Sequence, residues 1–301
     1  MKAIAEYAMR GRYHAATLAS FFAVLSFILP PLGSISGALI ALVTLRRGNL
    51  EGAIIAICAA IVMGLVTQVS AGSMAIGVVF ALLFWLPVWL LSVVLRKTVS
   101  LMLAIATAAL ISALFVIAFH LMVNETITWW STMIDQVIKE AFVQSGADTT
   151  QLEMMRESMA SFMTGLIASF LFLSMMMSLF LGRWWQAVLF NPGGFRQEFH
   201  SFRLDKSAAV ICSILLVWAT VGSEPGSIAI DLSFVISSFG GIAGLALVHH
   251  WVAAKNANVA WLTTLYILMA FIAPQIMVLL AIIGFADAWL DMRRFYQKET
   301  V

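Results

Sequence analysis

The sequence predicts an all-α, polytopic transmembrane bundle of eight to ten membrane segments, with an amphipathic helical hairpin outside the membrane. Three observations carry this. Of 301 residues, 62% are hydrophobic and only 11% charged, whereas soluble domains carry roughly a quarter charged residues; mean hydropathy is +0.99. Apolar runs of about 18 residues or more recur along the chain, the length needed to cross ~30 Å of hydrocarbon at 1.5 Å per residue. The charges are also unevenly placed. Asn124 to Ser158 holds six acidic and two basic residues, and the rest holds nine acidic and fifteen basic ones, the latter clustered in short connections. Such clusters mark the cytoplasmic side, so the N-terminus is expected to be cytoplasmic.

Lys2, Arg10 and Arg12 precede a first apolar run, Tyr13 to Leu29, and Arg46 and Arg47 follow a second, Leu32 to Leu45. Cations at both outer ends predict a hairpin turning at Pro30-Pro31-Leu32-Gly33, with a short second arm; the first run has no small-residue cleavage site after it and reads as a retained span. Runs at Gly52 to Val69 and Met74 to Leu95 return to Arg96-Lys97, and Val99 to Val123 crosses outward. These form an N-terminal membrane bundle, 1–123.

The acidic segment, 124–158, follows. Ile127, Trp130, Ile134, Val137, Ile138 and Ala141 recur at intervals of three and four, the period of an amphipathic helix. After Gln144 to Thr150, Thr150 and Glu153 match a capping box opening a second helix that runs into the membrane stretch Met159 to Leu181. The hairpin reads as a cover over the bundle or a docking surface for another protein.

The C-terminal membrane bundle, 159–301, contains a cationic cytoplasmic loop at 182–206 and further runs at Ser207 to Val221 and Ile228 to Val252. The last run, Val259 to Leu290, is too long for one upright span, and Pro274 falls mid-run, where proline breaks or kinks a helix. Trp129, Trp130, Trp184, Trp185, Trp251, Trp261 and Trp289 fall near the ends of runs, as interfacial anchors do. Gly240 and Gly244, four apart, permit close approach of a neighbouring helix.

Gly182 to Leu204 is the longest cationic interruption. Asn191-Pro192-Gly193-Gly194 is a turn by composition. Beyond it, Phe195, Phe199 and Phe202 share one face of a short helix, with Arg196, Glu198, His200 and Arg203 elsewhere, the pattern of a helix in the headgroup layer. Arg183, Trp184, Trp185, Asn191, Gly193, Gly194, Arg196, Glu198, His200 and Arg203 are therefore the candidate site for anionic lipid headgroups or a cytoplasmic protein partner. The glycine pair is not a phosphate loop, since no Gly-Lys-Ser/Thr follows.

That loop, with the Pro-Pro-Leu-Gly turn and the Leu45 to Gly52 connector, resembles the YybS-like family of uncharacterised bacterial membrane proteins. The family in turn resembles the substrate-binding components of energy-coupling-factor vitamin transporters and the rod-shape scaffold MreD. The resemblance implies a compact helical bundle with a solute cavity, and assigns no catalytic residue.

Polar residues within membrane runs are costly and thus candidates for function: Gln68, His120, Asp231, Gln275 and Asp287, with His249 and His250 near a membrane end. Gln68 and Gln275 lie deepest by sequence and are the candidate solute-binding residues. Asp287, Asp291 and Arg294 have the spacing of a salt-bridge cluster at a helix end. Cys58 and Cys212, each inside an apolar run, make neither a disulfide framework nor a metal site. There is no HExxH or GxSxG. The expected function is a non-enzymatic, transporter-component-like bundle that binds a small solute and presents its cationic loop to a cytoplasmic partner. An envelope assembly scaffold without a solute is the rival. No cofactor, metal or nucleic acid is expected.

Overall fold

A computed structural model describes residues 2–143, 149–221 and 223–293; the side chains of 137–143 and 149–152 are outside that description. So are Arg294 and Lys298 and, for their side chains, Val137, Ile138, Ala141 and Thr150. Among the described residues every regular element is helical. In chain order these are α1 (Lys2–Ala8), α2 (Arg12–Leu25), α3 (Leu32–Arg47), α4 (Asn49–Ala71), α5 (Met74–Phe80), a π-helical turn (Ala81–Trp85), α6 (Leu86–Thr98), α7 (Leu101–Met122), α8 (Thr126–Val143), α9 (Thr149–Phe190), α10 (Gly194–Ser201), α11 (Lys206–Thr220), α12 (Ile228–Ala254), α13 (Ala260–Phe271) and α14 (Ala273–Leu290). Six stretches among the described residues are long and apolar enough to cross a membrane: α4, α5 through α6, α7, Glu153–Phe190 of α9, α12 and α14; α11 and α13 are shorter apolar helices. The polytopic helical bundle expected from composition is thus what forms.

Packing divides the chain into two compact units, Met1–Ala108 with Leu171–Phe202, and Ala109–Phe170 with Arg203–Val301. Helices α7 and α9 contribute to both. The division at 123 and 158 drawn from the sequence follows membrane sides, a different criterion.

In the first unit α3 is the centre. Ser36 through Leu45 are all buried, as expected of a helix that is apolar all round. The expected α2–α3 hairpin is present: Ala15, Ala19 and Ala23 form a buried stripe on α2, and Ser36 Oγ donates to the Ala19 carbonyl at 2.8 Å. In lipid such contacts gain dispersion rather than escape from water, so small residues that let backbones close up are the effective ones. The last turns of α9 run alongside α3 in the same direction. A Cβ on Gly37 would meet Ser178, and one on Gly182 would lie 2.7 Å from the Ala38 carbonyl oxygen and from Ala41 Cβ; Arg46 stacks over the Phe190 ring at 4.1 Å. Between α5 and α6, Pro87 lacks the N–H that would bond the carbonyl of residue 83, and the chain relaxes into the π-helical turn at Ala81–Trp85.

In the second unit α12 and α14 pack most closely. A Cβ on Gly244 would overlap the Leu280 carbonyl, and one on Gly284 would overlap the Gly240 carbonyl and lie 2.6 Å from the Gly244 nitrogen. α8 packs on the start of α9: Trp130 Nε1 donates to Thr164 Oγ1 at 2.8 Å and Arg156 donates to Asp135 at 2.9 Å. The long final run resolves into α13 and α14, with Pro274 in the first turn of α14, where a missing amide costs nothing. At the end of α14, Asp287 pairs with Arg293 at 3.0 Å and Asp291 with Arg203 at 3.1 Å; Arg294 of the expected cluster lies outside the described residues.

Candidate functional site

The cationic connections of the first unit converge on one end of it. Basic side chains there cap helices. Arg96, at the end of α6, donates from Nη1 to the carbonyls of Thr44 and Leu45 at 2.9 and 3.0 Å, while Arg47 reaches the Met9 carbonyl. Both supply donors to carbonyls at helix C-terminal ends, the negative end of the helix dipole. Arg12 and Glu51 form a two-point pair, with Nε to Oε2 at 2.9 Å. The Glu51 hydrogen bond, then its charge, raises the Arg12 guanidinium above its ordinary pKa. Arg12, Tyr13, Arg47 and Glu51 line an open groove of about 560 Å³.

Gly182 to Phe202 completes this end, differently from the loop read in the sequence. Gly182 to Phe190 is helical and belongs to α9. Gly182 does not break the helix, because its missing Cβ is what allows α9 against α3. The turn is confined to Asn191–Gly193, where Gly193 takes φ 87°, a left-handed value that favours glycine. Gly194 then opens α10; a Cβ there would lie 2.5 Å from Asn191 Nδ2 and 3.5 Å from Arg183 Nη2.

Arg183 is 8% exposed. Its guanidinium grips Glu198 of α10 at two points, Nε to Oε2 at 3.0 Å and Nη2 to Oε1. A planar fork on a carboxylate fixes direction as well as distance, so this pair staples α10 back onto α9. The aromatic face of α10 closes the same joint. Phe199 and Phe202 are buried, and Phe195 and Phe199 lie 5.7 and 5.4 Å, ring to ring, from Phe180 of α9. A helix lying in the headgroup layer would turn these rings to acyl chains; here they pack on protein. Trp185 is fully buried, while Trp184 is 38% exposed. Asn191, Gly193 and Arg196 are exposed, and Glu198 and His200 are partly covered. Arg203 falls in the second unit, bonded to Asp291.

Of the ten candidate residues, then, Arg183, Trp185, Gly194 and Glu198 build the element, and Trp184, Asn191 and Arg196 are presented by it. The contributions of Arg46, Arg96 and Phe180 escaped the sequence reading; the only hint was that Arg46-Arg47 and the loop are both cationic.

Gln68 and Gln275 are not the deepest polar residues. Gln68 is exposed in the last turn of α4, where its Oε1 accepts from the Met74 amide at 3.1 Å, and Gln275 is exposed in the first turn of α14. Among the described residues the buried ionisable side chains are Arg183, Asp231, Asp287 and Arg293. Among the described residues no group of three or more His, Cys, Asp or Glu side chains could hold a metal ion.

A family model described as Predicted membrane protein (DUF2232) matches residues 17–288. The chain belongs to this family. The match takes in α2 through most of α14, and so covers the α9–α10 joint and the helices around it. No curated protein and no solved structure matches the chain.

Proposed function

We propose that this DUF2232 protein is a non-enzymatic, multi-pass inner-membrane component of the transporter class, whose basic end faces the cytoplasm and docks a protein partner through the α9–α10 joint. The observation that carries the reading is the buried Arg183–Glu198 staple. A simple lipid anchor needs no fixed geometry, whereas α10 is locked with its aromatic face packed on α9, and the joint offers Trp184 of α9 and Arg196 of α10 outward. Cations at this end also favour the cytoplasmic side. The likeness to energy-coupling-factor substrate-binding components adds a small solute to the reading, although Gln68 and Gln275, each exposed at a helix end, are poor ligands for it.

The test is affinity purification from native membranes, with mass spectrometry of proteins and small molecules retained by the wild type and by Arg196→Ala. A cytoplasmic partner recovered with the wild type and depleted in the variant is expected. Recovery of lipid alone, or equal recovery of the partner with both, refutes the docking role. An envelope-assembly partner recovered without any solute favours the scaffold reading suggested by the likeness to MreD.

A further inference from the structure

The second unit buries a histidine–carboxylate pair that the docking reading does not use. Asp231, in the first turn of α12, is 1% exposed; its Oδ2 lies 2.7 Å from His120 Nε2 near the end of α7, and its Oδ1 accepts from the Gly165 amide of α9 at 2.9 Å. One carboxylate therefore ties three helices. The site is built for close approach, since a Cβ on Gly165 would lie 2.9 Å from Asp231 Cα and 2.8 Å from the Phe234 ring. About one turn along each helix, Val116, Ala168 and Val235 form a dry apolar cluster beneath it. The imidazole retains 12% exposure, which leaves it open to protons from the helix ends.

We propose that His120 and Asp231 form a proton-binding site where α7, α9 and α12 meet, and that its occupancy sets how closely those helices pack. An imidazolium facing a carboxylate is neutral as a pair; loss of the imidazole proton leaves a net negative charge, and protonation of the carboxylate leaves a net positive one. In a site this dry a whole charge is costly, so each change must be met by water entering or helices moving. The negative state is partly met already by the Gly165 amide and by the positive end of α12. Few other charges intervene. His120 is the only titratable side chain on α7. Of the helices packed against α12, α11 carries Lys206 and Cys212, α13 carries Tyr266, and α14 carries Asp287, which is paired with Arg293; on α9, Glu153 and Glu157 are exposed and Arg156 is paired with Asp135.

A reporter adjoins the site. Phe119 stacks on Trp130 with centroids 5.4 Å apart, and Trp130 Nε1 donates to Thr164, the residue before Gly165. In purified full-length protein, tryptophan emission should show a proton-dependent transition between about pH 4 and 9, the range of ordinary carboxylate and imidazole titration. It should vanish in His120→Gln and Asp231→Asn, be silenced in Trp130→Phe, and persist in His200→Gln. Flat emission in the wild type, or a transition that survives His120→Gln, overturns the proposal. If those variants fail to insert, a protein with His14, His200, His249 and His250 replaced by Gln keeps His120 as its only histidine, to be followed by NMR of the labelled ring. The ring signals should then change between about pH 4 and 9 in step with the tryptophan emission; ring signals that stay constant while the emission changes overturn the proposal equally. Neither result bears on partner recovery at the α9–α10 joint.

Discussion

Removing the carboxylate of Glu198 should unfasten α10 while leaving the membrane helices in place. Breaking a buried ion pair from one side costs about 3–5 kcal/mol, because the remaining charge loses its partner. Here Arg183 is 10% exposed at its side chain but Glu198 is 34% exposed, so water reaches the outer half of the pair and screening reduces the cost. Glu198→Gln keeps the shape and one acceptor, and about 2 kcal/mol is expected for it. Arg183→Met, which removes the buried charge and keeps much of the stem, should cost about 1–2 kcal/mol. The double variant should cost little more than Glu198→Gln alone, a coupling of about 1–1.5 kcal/mol, since with Arg183 gone there is no buried cation left to strand. The assay is thermal or denaturant unfolding of the four proteins in one detergent, followed by proteolysis at the 191–204 connection. Additivity within about 0.5 kcal/mol, the scatter expected of independent sites, would show that the fork does not hold the joint.

Three further outcomes follow from particular contacts. Gly193→Ala must hold an alanine at φ 87° and should lose about 1 kcal/mol, read as a lower unfolding midpoint with membrane insertion unchanged. In a background lacking Cys58 and Cys212, a cysteine at Gln197 should resist a membrane-impermeant thiol reagent in intact cells and react after lysis, while one at Met154, also exposed, should react in both; equal labelling in intact cells refutes the orientation. Arg156→Ala should remove the bond to Asp135 at a half-exposed site, with at most about 1 kcal/mol lost and faster proteolysis between α8 and α9.

The elements were legible wherever one physical rule dominated. Hydropathy and length found the spans, the Pro-Pro turn found the α2–α3 hairpin, and the period-3.6 pattern from Ile127 to Ile134 found α8. Partnerships were less legible, because sequence spacing says nothing of which helices meet. Gly182 read as part of a polar break, yet it is a contact point on α3. Its neighbours Arg183 and Trp185 read as outward-facing, yet they are buried by a fold that returns α10 onto them. Gln68 and Gln275 read as deep within their apolar runs, but Gly72 ends α4 soon after Gln68 and the break at Ile272 starts α14 just before Gln275. His120 and Asp231 were each visible as costly residues in apolar runs; their separation of 111 positions concealed that each offsets the other's cost.

The contact between α12 and α14 gives the strictest test of the second unit. Gly240, Gly244 and Gly284 bring backbone against backbone, and a Cβ at Gly244 would overlap the Leu280 carbonyl, an atom fixed within its helix and unable to swing aside as a side chain could. Gly244→Ala must therefore push the helices apart along their contact, and the dispersion lost over several residue pairs outweighs the helix-propensity gain of alanine, about 1 kcal/mol. A net loss of about 2–3 kcal/mol is expected, at the scale of overpacked cores. Gly64→Ala is the control, since its Cβ would meet only the flexible Met74 methyl at 3.5 Å and should be neutral or stabilising. If Gly244→Ala is as stable as Gly64→Ala, the glycines do not set the approach of these helices, and the close packing of α12 on α14 must have another cause.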